Sequence, residues 1–352
     1  MEKPAEFFVN YSLLLLQAGD HEEARSLCGK GLLEYPEDMA LIGNHTLALI
    51  ACGDLDSAYA SALRRIGIRR DVHSIHEAAA VLSARRDGLR DSDLPAAIEA
   101  AKAEGVLIHE GLALNPQYWP LRVAEIRLHR FAWDNSGAAD RCRTLLQSGS
   151  CPVSFRTLAL IEMVEAHVAV KAVPRALELV SGSVPIEKSC ADALMAVRMR
   201  LLAEHHMIGK YSETGTRIVV SEVADYYATH NESPEALTRA KVLEWLGKPE
   251  EAIAALKALL ARSGQHREAL QSLSMILLKT GATSEALKCA ERLRDVAPWC
   301  AVSYDTLRYV AQKVGRQDLA ETAAKKGDKV FAHEMNLFES LRTAQGSRGR
   351  QH

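Results

Sequence analysis

Glycines recur at a fixed spacing in this chain and divide it into equivalent segments. Gly19 and Gly53 lie 34 residues apart, and Gly247, Gly281 and Gly315 follow one another at the same spacing near the other end. An alanine stands five residues after each of these glycines, at Ala24, Ala58, Ala252, Ala286 and Ala320. Five segments in one register indicate a repeat protein whose short units pack against their neighbours.

The residue types within a segment predict a helical hairpin. Glycine can adopt a positive φ and end a first helix, and Asp20, Asp54 or Lys248 with Pro249 can begin a second. Alanine lets two helices approach closely. Only 5% of the 352 residues are aromatic, whereas 48% are hydrophobic, which favours helices over a sandwich or barrel of aromatic strands.

The pattern of turn glycine, alanine and closing proline resembles the tetratricopeptide repeat, most clearly where Pro36 and Pro298 end two of the units. The resemblance implies an all-α fold: a right-handed superhelical solenoid of about nine antiparallel helix pairs. A C-terminal capping helix is expected at Ala332–Arg342.

We predict one solenoid over residues 1–342 and a disordered basic tail at 343–352. Its repeats are clear at 5–72 and 234–334 and degenerate at 73–233, with longer helices near 94–114 and 211–230. The extra residues of these longer helices are insertions relative to the repeat. Insertions in solenoids often shape a binding surface, and sequence drift without a function is the alternative.

Small polar residues stand nine positions before each turn glycine. In the family this position on the first helix faces the concave groove, so the residues are expected to form a ladder along it. Asn10 and Asn44 resemble the asparagine ladder of peptide-gripping arrays, because an amide can pair with the backbone of any extended peptide. Ordinary polar residues on a hydrated helix face are the alternative. The five residues are Asn10, Asn44, Thr238, Ser272 and Thr306.

Cationic and aromatic residues occur six and two positions before the C-terminal turn glycines, which suits an acidic peptide with an apolar anchor. Leu13 and Leu47 occupy the sixth position in the N-terminal units, which disfavours a clamp for a terminal carboxylate. The groove candidates are Lys241, Tyr309, Trp245, Lys279 and Lys313, with Met275 between them.

No phosphate-binding loop, dinucleotide fingerprint or His-Glu-x-x-His motif occurs in the sequence. His73 with His76, and His205 with His206, are the histidine pairs that could bind a metal, but neither has an evident third ligand. We therefore expect no cofactor, no metal and no catalytic residues. Because the seven cysteines are unpaired in pattern and no signal peptide or spanning segment is evident, we expect a cytoplasmic protein without membrane insertion.

Charge is distributed unevenly along the chain. Residues 1–60 hold 3 basic and 10 acidic residues, whereas residues 308–352 hold 9 basic and 5 acidic residues. This asymmetry could orient a partner or promote self-association. A sequence pI of about 6.7 disfavours nucleic-acid binding.

The sequence thus predicts a non-catalytic scaffold that binds a peptide or protein segment in its groove. Two alternatives stay open: a regulatory or targeting subunit of an enzyme assembly, and an enzyme with its site on the long middle helices.

Overall fold

The structure is a computed structural model that describes residues 3–181, 195, 197–201 and 236–348. Helices and turns make up this part of the chain, which contains no β-strand, so the expected all-α fold is confirmed. None of its helices is both long enough and apolar enough to cross a membrane.

Helices α1 to α10 are Ala5–Ala18, His21–Glu34, Met39–Ala51, Leu55–Ile68, Val72–Leu89, Leu94–Leu114, Trp119–Phe131, Asn135–Gln147, Val153–Ala169 and Val173–Ser181. Helices α11 to α16 are Ala236–Trp245, Pro249–Arg262, Arg267–Lys279, Thr283–Val296, Ala301–Val314 and Gln317–Arg348.

The chain divides into two compact units. The N-terminal unit comprises Met1–Ala132 with Ser340–His352, and the C-terminal unit comprises Trp133–Glu339. In the N-terminal unit each helix from α1 to α7 packs against the next, and α1 with α3, α3 with α5, and α5 with α7 also touch. Contacts between alternate helices are typical of stacked hairpins. The expectation of one continuous solenoid over residues 1–342 stays a prediction.

The turn glycines adopt the conformation for which the repeat selects them. All five have a left-handed φ between 74° and 85°, which glycine reaches without the steric cost that a side chain would add. After Gly53, the carboxylate of Asp54 accepts a hydrogen bond of 3.2 Å from the backbone N–H of Ser57 and so begins α4.

The alanines five residues after the glycines are buried at the contact between helices. Four of them are fully buried, and Ala320 is 1% exposed. Their small size lets neighbouring helices approach closely, and packing therefore depends little on aromatic side chains.

Two further turns use residues other than glycine. Trp133 and Lys171 have left-handed φ angles of 58° and 61°, and Ala138 and Ala176, five residues after them, are fully buried. They mark repeat turns in the degenerate middle of the chain. A search for glycine misses them, although the following alanines carry the same signal.

The expected long helix near 94–114 is present as α6. Asp93 accepts a hydrogen bond of 3.1 Å from the N–H of Ala96 at its start, and the helix ends before Asn115 and Pro116. The second expected long helix, at 211–230, lies outside the described residues, as do His205 and His206.

The C-terminal end differs from the expectation. Instead of a separate capping helix at Ala332–Arg342 and a disordered tail from 343, α16 runs unbroken from Gln317 to Arg348. Gly327 does not interrupt the helix, and it lies so close to Tyr304 that an added Cβ would be 3.0 Å from the Cβ of that residue. No proline follows to end the helix.

Candidate ligand-binding face

Each of the two units carries its own candidate binding surface, which consists of the residues six and nine positions before its turn glycines and is here called the first-helix face of that unit. In the N-terminal unit it carries two asparagines with different environments. Asn10 is exposed, whereas Asn44 is partly buried and donates from Nδ2 to the carbonyl oxygen of Val9 at 3.0 Å and to Oγ of Ser12 at 2.9 Å. Both amide hydrogens of Asn44 thus connect α3 to α1, which leaves its Oδ1 as an acceptor for a ligand.

Two leucines lie beside the asparagines on the same face. Leu13 is 42% exposed and Leu47 is 51% exposed; in α1 the neighbouring Tyr11 and Leu14 are exposed as well, by 43% and 60%. Sequence reasoning counted these leucines only against a carboxylate clamp and did not place them among the binding candidates. The signal was available, since Met275 and Tyr309 stand at the same repeat position.

In the C-terminal unit the polar ladder is uneven. Thr238 and Ser272 are partly buried. Thr306 is only 6% exposed, and its hydroxyl donates to the carbonyl oxygen of Val302 at 2.8 Å. Thr306 is therefore a buried packing residue and does not present its hydroxyl to a ligand, contrary to its place among the candidates.

The lysines of this unit also have partners. Lys279 Nζ lies 2.5 Å from Oε1 of Glu244, one repeat earlier. Lys313 Nζ lies 5.7 Å from the ring centroid of Tyr309, which is itself 43% exposed. Lys313 and Tyr309 thus form an exposed cationic and aromatic pair, whereas the charge of Lys279 is partly neutralised.

The remaining candidates of this unit contribute less. Lys241 and Met275 are partly buried. Trp245 ends α11, and its side chain lies outside the described part of the structure.

The histidine pair of the N-terminal unit surrounds a tyrosine. Nδ1 of His73 lies 3.1 Å from the hydroxyl of Tyr118, and the ring of His76 packs on the same residue at 5.5 Å between centroids. Burial, followed by the nearby charge of His73, lowers the pKa of His76 and favours its neutral form. Within the described residues, no group of three or more His, Cys, Asp or Glu side chains could hold a metal ion.

Comparison with known proteins gives a match to a family model and a likeness to solved structures. Residues 246–304 match the model of the tetratricopeptide repeat. A tetratricopeptide repeat protein from Parabacteroides merdae is similar at 12% identity, with 87% of this chain and 98% of that chain covered and a TM-score of 0.45. No curated protein shows a significant match. Residues 246–304 thus match the tetratricopeptide repeat, and the left-handed glycines Gly247 and Gly281 stand at turns between helices within that stretch.

Proposed function

We propose that the protein is a non-catalytic scaffold that binds a peptide or protein segment on a first-helix face. The observation that carries the proposal is the exposure of apolar side chains at one repeat position: Leu13, Leu47 and Tyr309 are each more than 40% exposed. A helix face built for solvent alone would carry polar residues there, and exposed apolar side chains at recurring positions are typical of binding surfaces.

The bound segment is an extended peptide with apolar side chains. Asn10 is free of the internal hydrogen bonds that occupy Asn44, and it can pair with a peptide backbone next to Leu13. In the C-terminal unit the Lys313 and Tyr309 pair supports a preference for a carboxylate close to an apolar anchor. Lys279 supports this preference less, because Glu244 already neutralises it.

The test is selection of binding peptides from a random displayed library on the purified chain. The selected peptides should lose at least tenfold in affinity for a Leu13→Ser/Leu47→Ser variant, since two apolar contacts are removed. Leu33→Ser is the matched control, because Leu33 is 86% exposed but belongs to the second helix of its hairpin. If the selected peptides bind the wild type and the Leu13→Ser/Leu47→Ser variant with equal affinity, the first-helix face of the N-terminal unit is not the binding surface.

The enzyme alternative has no comparable support in the described part of the long middle helices. Glu104 of α6 is the carboxyl group in these helices whose pKa is raised most, but it is fully buried beside Arg86 and has no route to a substrate. A role as regulatory or targeting subunit is compatible with the same first-helix face. An affinity pull-down with the purified chain, read by mass spectrometry, would then recover an enzyme.

Cytoplasmic localisation and self-association belong to the proposal as well. The acidic start and basic end of the chain favour association in which the ends of two copies meet. Sedimentation velocity at low and high salt tests this idea: a dimer present at low salt should dissociate at high salt, because exposed charges are screened.

A further inference from the structure

The first-helix face of the N-terminal unit continues from α3 onto α5. Asn44 and Glu77 each stand six residues after the residue that caps their helix. The two helices pack against each other, and Oε2 of Glu77 lies 3.4 Å from the point where a Cβ on Gly43 would stand. His73 lies one turn before Glu77, and His76 is three residues from His73, so both histidines border this face.

A tyrosine holds the two histidines together. Nδ1 of His73 lies 3.1 Å from the hydroxyl oxygen of Tyr118, and the two rings meet edge to face with 5.2 Å between their centroids. The ring of His76 contacts the same tyrosine at 5.5 Å. His73 is exposed and His76 is partly buried. Because Nδ1 of His73 faces the phenol, its Nε2 is the ring nitrogen that a ligand can reach.

The fixed charges in this region of the unit cancel in pairs. Three carboxylates stand on α5, at its N-terminal cap and on the neighbouring α6, and each of them has an arginine partner. The pairs are Glu77 with Arg65 of α4, Asp71 with Arg69 at 2.6 Å, and Glu110 of α6 with Arg70 at 2.5 Å. These carboxylates are therefore already neutralised and do not serve the histidines as counter-ions.

The other two helices that pack on α5 offer no counter-ion either. Helix α3 contains no Asp, Glu, Lys or Arg, and burial together with two nearby arginines lowers the pKa of its one histidine, His45. On α7, Arg122 pairs with Glu125 at 3.4 Å. Among the described residues, no carboxylate lies within ion-pair distance of either histidine on Tyr118.

Protons taken up by these histidines therefore create a positive charge that the unit does not compensate. Burial, followed by the charge of His73, lowers the pKa of His76 and so opposes this charge. An imidazole ordinarily titrates close to neutral pH, so the charge can appear in the physiological range. A ligand carboxylate against both rings would compensate it and accept hydrogen bonds from their N–H groups.

We propose that His73 and His76, held by Tyr118, form a subsite for a carboxylate side chain of the bound segment, and that proton uptake accompanies its binding. The inference rests on the proposed binding of a peptide to the first-helix face of the N-terminal unit, and it adds an acidic residue to the apolar contacts at Leu13 and Leu47. Because a bound carboxylate stabilises the protonated rings, binding must in turn tighten as the pH falls. A rise of about one pKa unit in a ring corresponds to about a tenfold gain in affinity.

Peptide selection at two pH values tests the subsite. A random displayed library is selected on the wild type at about pH 6 and at about pH 8, where peptide carboxyl groups are ionised in both cases. Asp and Glu should be several times more frequent in the peptides selected at the lower pH. A His73→Gln/His76→Gln variant should show no such difference. An equal frequency of acidic residues at the two pH values in the wild type, or a difference that persists in the variant, would overturn the proposal.

His109→Gln is the matched control for this selection. His109 is an exposed histidine of the same unit, but it belongs to α6, the second helix of its hairpin. The His109→Gln chain should therefore keep the pH-dependent preference of the wild type. Loss of the preference in this control as well would show that it does not come from the pair on Tyr118.

Affinity measurements on the wild type give a second test. A selected acidic peptide that loses affinity for Leu13→Ser/Leu47→Ser is compared with the same peptide carrying Gln in place of its acidic residue. The acidic peptide should bind about tenfold more tightly at about pH 6 than at about pH 8, and the Gln peptide should bind equally at both. Calorimetric titration in buffers of different ionisation enthalpy should show proton uptake for the acidic peptide only, and its absence would refute the subsite.

The subsite and the proposed function fail in different ways. If no selected peptide depends on Leu13 and Leu47, the first-helix face of the N-terminal unit is not the binding surface, and the subsite is refuted with it. If peptides depend on these leucines but show no pH-dependent preference that the histidines control, the face stands and the subsite alone is refuted.

Discussion

Arg86 and Glu104 form an ion pair that joins α5 to α6 in the interior of the N-terminal unit. Nη1 of Arg86 lies 2.5 Å from Oε2 of Glu104, and the two side chains are 3% and 0% exposed. The guanidinium also lies 4.9 Å from the ring centroid of Phe131, and its Nε donates to Asp87 at 2.9 Å. Oε1 of Glu104 has no hydrogen-bond partner, so the carboxylate depends on Arg86 for its stability.

Removal of the cation alone should destabilise the protein strongly. In Arg86→Leu the Glu104 carboxyl stays buried without its partner, and the free energy of unfolding should fall by about 3 kcal/mol. Urea unfolding monitored by circular dichroism measures this loss. The double variant Arg86→Leu/Glu104→Leu should recover a large part of the loss, and a double variant as unstable as the sum of the two single variants would contradict the coupling.

The same pair predicts a pH dependence of stability. Burial raises the pKa of Glu104 from 4.5 to about 7, against the opposing effect of the Arg86 charge. Between these two values the folded protein binds more protons than the unfolded chain, so this group's contribution to stability is full below about pH 4.5. It is lost as the pH rises through about 7.

Urea unfolding at several pH values between 4.5 and 8 checks this expectation against a Glu104→Gln variant, whose side chain does not titrate. The free-energy difference between wild type and variant should shift toward the variant as the pH rises to about 7, and then level off. A difference that stays constant across this range would contradict the raised pKa.

The hairpins could be predicted from the sequence because two of their features depend on single residues. These features are the turn between the two helices and the close contact of the helices. A left-handed turn requires glycine at Gly281, and a close helix approach requires a small residue at Ala286, so both can be recognised without knowledge of the fold. The turns at Trp133 and Lys171 carry no glycine that would mark them in the sequence. Both residues adopt a left-handed φ that side chains of their type disfavour.

The candidate site was less predictable, because exposure depends on neighbouring helices. Thr306 and Asn10 share a repeat position, yet Thr306 is buried and Asn10 is exposed. Asn44 shares the position too, and both of its amide hydrogens donate hydrogen bonds to residues of α1. A position in the repeat therefore identifies the face, whereas the packing of each unit decides which side chains a ligand can reach.

Two glycines in α2 should respond oppositely to alanine. A Cβ on Gly31 would lie 2.7 Å from Cδ2 of Leu41 and 2.8 Å from Cγ of Phe8, both in a buried cluster. Gly31→Ala should therefore lower the free energy of unfolding by about 1–3 kcal/mol through overpacking. Gly29→Ala meets no atom within 4 Å and should raise it by up to about 1 kcal/mol, because alanine is the better helix former. Thermal unfolding of both variants measures the contrast, and a stabilised Gly31→Ala protein would show that the contact with Phe8 yields without cost.

The two asparagines of the first-helix face should also separate, into a structural and a ligand-contacting residue. Asn44→Ala removes two hydrogen bonds between α3 and α1 and leaves Ser12 and Val9 with fewer partners, so the free energy of unfolding should fall by about 1–2 kcal/mol. Asn10→Ala removes an exposed side chain and should change it by less than about 0.5 kcal/mol.

Urea unfolding of the two variants, followed by peptide binding at a temperature where both are folded, tells the roles apart. Asn10→Ala should weaken binding while its stability is retained. A loss of stability in Asn10→Ala as large as that in Asn44→Ala would contradict the separation, because an exposed amide without internal bonds has no stabilising contact to lose.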